Sequence, residues 1–393
     1  MSALVSENTR FWILIILITI SGFSQGMLMP LISIIFEHNN ISSSISGIHA
    51  TGLYLGILIA SPFMEKPLRQ FGYKPIIMTG GILVFVSLAL FPAWQAIWFW
   101  FILRMTVGIG DQMIHFGTQT WITSTATKET RGKSISFYGL SFGLGFALGP
   151  VMTRLLSVNE ALPFLVSAFL SMSVLSLMLL VRNKWPDAEG DEATAVKPSG
   201  SISRFINTGK VAWIALLPGF GYGFLEAALH SIFPIYGIRI GHEVSTLSLI
   251  IPCFALGSLI TQIPLGILSD RFGRQKILRF VIAIGTICFF LASLLEHSVI
   301  GLFILFTVAG MFVGSLYSLG IAYMTDLLPR HLLPTGNLMV SITFSFGSMS
   351  GPILGGFFIE HFPHISFFYF VTAILFIIMM ILFLPKRQTT NHP

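Results

Sequence analysis

Gly219-Phe220-Gly221-Tyr222-Gly223-Phe224-Leu225-Glu226-Ala227-Ala228-Leu229-His230 sets a carboxylate and an imidazole inside an apolar segment long enough to cross a bilayer. Ionisable groups are costly there and usually mark function. The pattern Gly-Phe-x-x-Gly-x-Leu at its start also stands at Gly22-Phe23-x-x-Gly26-x-Leu28, 197 residues earlier. Gly145-x-x-x-Gly149-Pro150 likewise recurs as Gly347-x-x-x-Gly351-Pro352, 202 residues on. Two recurrences at nearly one offset indicate an internally duplicated membrane unit. At the 197-residue offset Met29 stands where the second copy has Glu226, so the acid belongs to one half only.

Working outward, the rest of the chain agrees. Of 393 residues 54% are hydrophobic and 10% charged, against about 25% charged in soluble domains, which excludes a water-soluble enzyme. Runs near the roughly 20 apolar residues a crossing helix needs number twelve: 11–36, 47–64, 75–93, 97–124, 134–156, 162–181, 211–238, 246–268, 277–295, 299–324, 335–359 and 366–385. The expected fold is an all-α polytopic membrane protein, twelve helices in two pseudo-symmetric six-helix bundles. The expected units are 1–182, a polar linker at 183–209, and 210–393.

An even count places both termini on one side. Of the 22 Lys and Arg, all but Arg104, Arg154 and Arg239 fall in segments on that side, which is therefore expected to be cytoplasmic. The basic balance is topological and implies no nucleic acid partner. Cys253 and Cys288 lie within spans and form no disulfide framework, and no cleavable signal is expected ahead of the first span. Zinc-type spacings, phosphate-cradling loops and nucleophile elbows are absent, so no cofactor, no metal and no enzymatic activity are expected.

In span four, Arg104, Gly108, Asp111 and His115 follow the 4-3-4 spacing of one helical face. Arg104 and Asp111 are about 10 Å apart along the axis, too far to pair, so Arg104 is expected to meet a carbonyl or another span, or to act on a carboxylate across the cavity. Asp111 and His115, one turn apart, can share a proton. In span seven Tyr222, Glu226 and His230 share a face, thinned by Gly219 and Gly223. These groups are the candidate proton-coupling set: Glu226 first, Asp111 second, with His230, His115 and Arg104. The competing reading is structural, since buried polar residues also serve as glue between helices. Candidate cavity residues are Gln25, Met29, Tyr222, Glu226, Tyr317 and Asn337.

The turn after span eight, Gly266-Ile267-Leu268-Ser269-Asp270-Arg271-Phe272-Gly273-Arg274-Gln275-Lys276, resembles the loop motif of the major facilitator superfamily. The resemblance implies a gating role for Asp270, Arg271, Gly273 and Arg274, by helix capping or a charge relay. The equivalent turn after span two departs from the motif: Arg69 stands where the aspartate belongs and Glu65 where the first glycine does. Arg104-x-x-x-Gly108-x-Gly110 resembles a second signature. Gly145, Gly149 and Pro150 in span five, with Gly351 and Pro352 in span eleven, resemble the motif of exporters and antiporters. That motif continues to a Gly-Gly pair, present as Gly355-Gly356 but replaced by Thr153-Arg154 in the first copy. Small residues permit close helix approach and proline bends a helix.

Gly-Phe-Leu-Glu-Ala followed by Phe233-Pro234-Ile235-Tyr236-Gly237 is similar to span seven of a drug-exporting branch of the superfamily. Its members imply an acid in a low-dielectric cavity that exchanges protons near neutral pH. The implied activity is proton-coupled export of lipophilic small molecules, cationic ones included, by alternating access. The expected partners are substrate, protons and lipid, with the chain a monomer in a bacterial inner membrane. The alternatives are a metabolite or sugar transporter, a lipid or glycolipid flippase, and a non-transporting receptor.

Overall fold

A computed structural model describes residues 6–127, 130–186, 201–329 and 332–383. Most of the expected linker, residues 187–200, lies outside them. Among the described residues every regular element is a helix, without a strand.

The twelve spans are Glu7–His38, Ser43–Ala60, Tyr73–Leu90, Ile97–Thr125, Arg131–Leu148, Leu162–Leu177, Ser201–Ser231 with Phe233–Arg239, Val244–Phe272, Arg274–Leu294, Val299–Val313 with Leu316–Leu327, Leu333–His361 and Phe367–Phe383. A short helix, Glu65–Phe71, lies between spans two and three. Ten helices meet the length and hydropathy a crossing demands. Span four falls outside that set with its Arg104, Asp111 and His115, and span twelve is 17 residues long. Span seven starts earlier than its apolar run, at Ser201. Span five tightens to a 3₁₀ helix over Gly149–Ser157 directly after Leu148, with Pro150 at the junction, where its missing N–H interrupts the run of α-helical hydrogen bonds.

Each half is held by backbone-close crossings that only glycine permits. A Cβ at Gly56 would collide with the Met105 carbonyl oxygen, and one at Gly257 with that of Thr307. The turns into spans three and nine repeat as well. Gly72 and Gly273 take φ of +87° and +98°, a region glycine enters without strain. Lys74 Nζ donates to the Val181 carbonyl at 2.8 Å, and Gln275 Nε2 to that of Leu382 at 3.2 Å.

These pairs are 201 residues apart, and the packing of spans one and seven follows the same offset. Gly22 lies against the carbonyl of Phe142 as Gly223 does against that of Phe344, and Gly149 against Phe23 as Gly351 against Phe224. The 197-residue alignment is thus one helical turn out of register. Glycines four residues apart lie on one face, so a one-turn slip preserves their pattern. In the packing register the counterpart of Glu226 is Gln25, and Met29 corresponds to His230; the acid still belongs to one half.

The bundles meet at the face away from the N-terminus, here the far face; the opposite side, which carries Glu7 and Lys184, is the linker face. A Cβ at Gly47 of span two would strike the Pro352 carbonyl of span eleven, and one at Gly356 the Ser43 carbonyl. Midway, Met29, Tyr54, Phe146 and Ala227 form an apolar plug across both halves. Towards the linker face spans five and eight part. Gly143 still faces Leu259, but a Cβ at Gly139 or Gly266 would meet no atom within 4 Å.

Candidate functional site

Beside the plug, a cavity of about 160 Å³ opens between spans five, seven, eight and ten, its wall including Phe142, Phe146, Tyr222, Glu226, Gln262 and Tyr317. The Tyr222 hydroxyl donates to Glu226 Oε1 at 3.0 Å, across the single turn that the four-residue spacing implies. His230 Nδ1 lies 2.8 Å from the Glu226 backbone carbonyl. A carbonyl only accepts, so Nδ1 carries the proton and Nε2 is left without a partner. The imidazole packs against Phe146 at 4.6 Å between centroids and does not engage the carboxylate. Among the described residues no cationic side chain pairs with Glu226. Tyr222, Tyr317 and Phe344 form an aromatic wall, with the last two rings 5.2 Å apart. A carboxylate among aromatic faces suits a desolvated organic cation.

Span four's groups each find a separate partner. Ser21 donates to Asp111 Oδ1 at 2.7 Å, and Asp111, fully buried, keeps Oδ2 unpartnered. Gln25, 8% exposed, lies beside Asp111. His115 Nδ1 lies 2.5 Å from the Tyr138 hydroxyl, so the proposed sharing of a proton between Asp111 and His115 has no direct bond here. Arg104, 1% exposed, meets His49 of span two at 3.2 Å between Nη1 and Nδ1, while its Nε and Nη2 have no partner.

Three of the expected cavity residues lie elsewhere. Met29 is sealed in the plug, where the Tyr54 hydroxyl points at its sulfur. Gln25 faces the Asp111 cluster. Asn337 is exposed near the start of span eleven, off the cavity wall. The cause is periodicity: a helical repeat fixes which residues share a face, and the partner of that face is fixed only by tertiary packing.

The motif turn is organised about Arg274. It pairs with Asp270, lies 3.3 Å from Asp326 at the end of span ten, and donates to Ser269 Oγ at 2.7 Å. Arg271 rests over Phe272. All of these belong to the second half, so in this conformer the turn braces one bundle internally. Arg69 pairs with Glu65 within its own short helix.

Two of the three basic residues that break the charge asymmetry bridge the bundles at the far face. Arg239 grips Glu37, and Arg154 donates to Ser248 Oγ at 3.0 Å and to the Ser245 carbonyl at 3.1 Å. Ser44 N–H donates to Glu360 at 2.8 Å. His49, Tyr54, Glu37 and Asp326 were not singled out from the sequence. Their one available signal was polarity within or beside apolar runs.

Two six-helix bundles joined at one face, parted at the other and enclosing a central cavity with a buried acid define a membrane transporter, not an enzyme. The chain belongs to the Major Facilitator Superfamily, whose sequence profile matches residues 14–251 and 239–393. It is 50% identical over 381 residues to the uncharacterized MFS-type transporter YfkF of Bacillus subtilis, covering 97% of this chain and 96% of that one. It is 27% identical to Multidrug resistance protein 1 of the same species, over 94% of each chain. Among solved structures, a bacterial homolog of the human lysosomal transporter Spinster, inward-facing and unoccupied, superposes with a TM-score of 0.73 at 15% identity, covering 96% of this chain and 95% of that one. A mutant of the nucleoside transporter NupG gives 0.79 at 13%, covering 95% and 100%. At those identities the likeness concerns the fold.

Proposed function

We propose that this transporter exports lipophilic small molecules, organic cations among them, in exchange for protons, and that Glu226 is the group at which the two compete. The observation that carries this is Glu226 itself: a carboxylate lining an aromatic cavity, bonded to Tyr222 and matched by no cationic side chain among the described residues. Such a site is neutral with a proton bound and neutral again with a cation bound. The bare carboxylate is the costly state, so one ligand leaves as the other arrives. The relationship to Multidrug resistance protein 1 supports the substrate class.

The linker face is assigned to the cytoplasm of a bacterial plasma membrane from the distribution of Lys and Arg, which makes the conformer inward-open. Asp111, bonded to Ser21 with Gln25 beside it, is the second proton site, deeper in the first bundle. The chain divides functionally into 1–182, a linker at 183–209, and 210–393, and acts as a monomer.

The test is flux in proteoliposomes under an imposed proton gradient, with a lipophilic cation such as tetraphenylphosphonium as probe. Glu226→Gln is expected to abolish gradient-driven accumulation, and Asp111→Asn to reduce it. Full gradient-driven flux in both variants would falsify the coupling.

A further inference from the structure

The two lateral seams between the bundles are pseudo-equivalent, yet at the far face they are built differently. Where span eleven meets span two, Gly355-Gly356 lets backbone touch backbone, with Gly356 against the Ser43 carbonyl. Where span five meets span eight, Thr153-Arg154 occupies the corresponding place in the first repeat. A guanidinium stands where the other seam has no side chain. Beside it lies a cavity of about 480 Å³, lined by His38 of span one, Thr153, Arg154, Leu156 and Ser157 of span five, and Val244 and Ser245 of span eight.

We propose that this cavity is a binding site for an anionic group carried on an apolar body, phosphate-bearing amphiphiles being the fitting class. Its occupant clamps the two bundles in the conformer described here. Arg154 spends its bonds on neutral acceptors, the Ser245 carbonyl and Ser248 hydroxyl. No carboxylate lies in ion-pair range of it among the described residues. Glu37 is engaged with Arg239, and Glu243 accepts from the Ser245 hydroxyl at the edge of the cavity. The site therefore has a cation without an ion-pair partner among the described residues and apolar surface at Leu156 and Val244, while its hydroxyls already donate elsewhere, Thr153 to the Pro150 carbonyl, Ser157 to the Arg154 carbonyl and Ser245 to Glu243. A guanidinium forks naturally onto phosphate oxygens.

The volume lies within the range of small-molecule sites. Because the lining comes from both bundles, the site is complete only while this seam is closed, so a ligand there biases the equilibrium towards this conformer. The inference stands apart from proton coupling, and its test uses no gradient.

The full chain, purified in detergent, is titrated with hexyl phosphate and its Tm followed, with hexanol as the uncharged control. Saturable stabilisation by hexyl phosphate alone is expected. Arg154→Gly, which copies the other seam, should weaken it at least about tenfold, the loss of one charge-assisted contact. Val244→Trp fills the cavity and leaves Arg154 in place, and should abolish the response; it also serves if Arg154→Gly does not fold. In nanodiscs, phosphatidylglycerol that removes the response seen in phosphatidylcholine identifies a lipid headgroup as the occupant. A response retained in both lipids identifies a soluble organophosphate. No saturable response in the wild-type protein, or an unchanged one in Val244→Trp, overturns the proposal.

Discussion

Arg239 of span seven holds Glu37 of span one through two parallel hydrogen bonds, Nε to Oε1 at 2.8 Å and Nη2 to Oε2 at 2.9 Å. The pair joins the bundles at the far face, and Arg239 Nη1 also reaches the Ile359 carbonyl at 3.3 Å. Both groups are partly exposed, so solvent screens them and the pair contributes about 1 kcal/mol, a roughly fivefold bias towards this conformer. Glu37→Gln should shift the population towards the far-open state by about that factor. The measurement is the labelling rate of a cysteine placed at Met349 of span eleven, which packs against the central plug, in a Cys253→Ser background, by a membrane-impermeant maleimide added from the far side. Exchanging the two charges should restore the wild-type rate; an unchanged rate in Glu37→Gln removes the pair from the gate.

Gly47 makes a larger contribution to the same closure by lacking a side chain. Any Cβ there would overlap the Pro352 carbonyl, and neither backbone can move without displacing its bundle. Gly47→Ala should therefore hold the seam open and cut flux at least about tenfold, since closing against the clash costs more than about 1.4 kcal/mol. The same maleimide assay should show faster labelling. Loss of flux with unchanged labelling would instead place the defect outside the seam.

The membrane architecture was readable because it depends on local properties, apolar length and the sidedness of Lys and Arg. The duplication was readable too, but its register was not. Gly22 and Gly26 match Gly219 and Gly223 as well in sequence as Gly22 matches Gly223 in space, and only the carbonyls of Phe142 and Phe344 separate the two. Glu226 stood out as an ionisable group in an apolar run. Its relation to Tyr222 was legible because both lie on one helix. Partners on other helices left no trace in spacing: His49 for Arg104, Ser21 for Asp111, Tyr138 for His115. Arg154 and Arg239 were visible as exceptions to the charge asymmetry, but their role depends on which part of the other bundle faces them.

His49 bears on the cost of the buried guanidinium. Among the described residues Arg104 is enclosed with one hydrogen-bonded partner and no carboxylate, and His49 is itself packed edge-on against Phe36 and Phe101. His49→Leu removes the one acceptor and leaves an uncompensated buried charge, a loss of about 3–5 kcal/mol. The Tm in detergent should fall steeply. His49→Gln, which keeps an acceptor of similar reach, should recover most of it, and Arg104→Met in the His49→Leu background should recover more than half. Equal stability of His49→Leu and wild type would mean that Arg104 draws its support from elsewhere.

The register itself can be tested with one carboxylate placed at two positions a helical turn apart. In the packing register Gln25 is the counterpart of Glu226, at a site already lined by Ser21 and Asp111 and able to hydrogen-bond a protonated acid. Met29, the counterpart at the 197-residue offset, is packed among Tyr54, Phe146 and Ala227 with no exposed surface. Gln25→Glu should therefore fold, with a modest fall in Tm, because the new acid can share a proton with Asp111. Met29→Glu sets an acid in an apolar plug beside a single tyrosine hydroxyl and should cost several kcal/mol, with little monodisperse protein recovered. In a Glu226→Gln background, Gln25→Glu should not restore gradient-driven flux, since that position faces the interior of the first bundle and not the aromatic cavity. Restored flux would place the coupling acid on either side of the pseudo-symmetry axis and make the wall of Tyr222 and Tyr317 incidental to it.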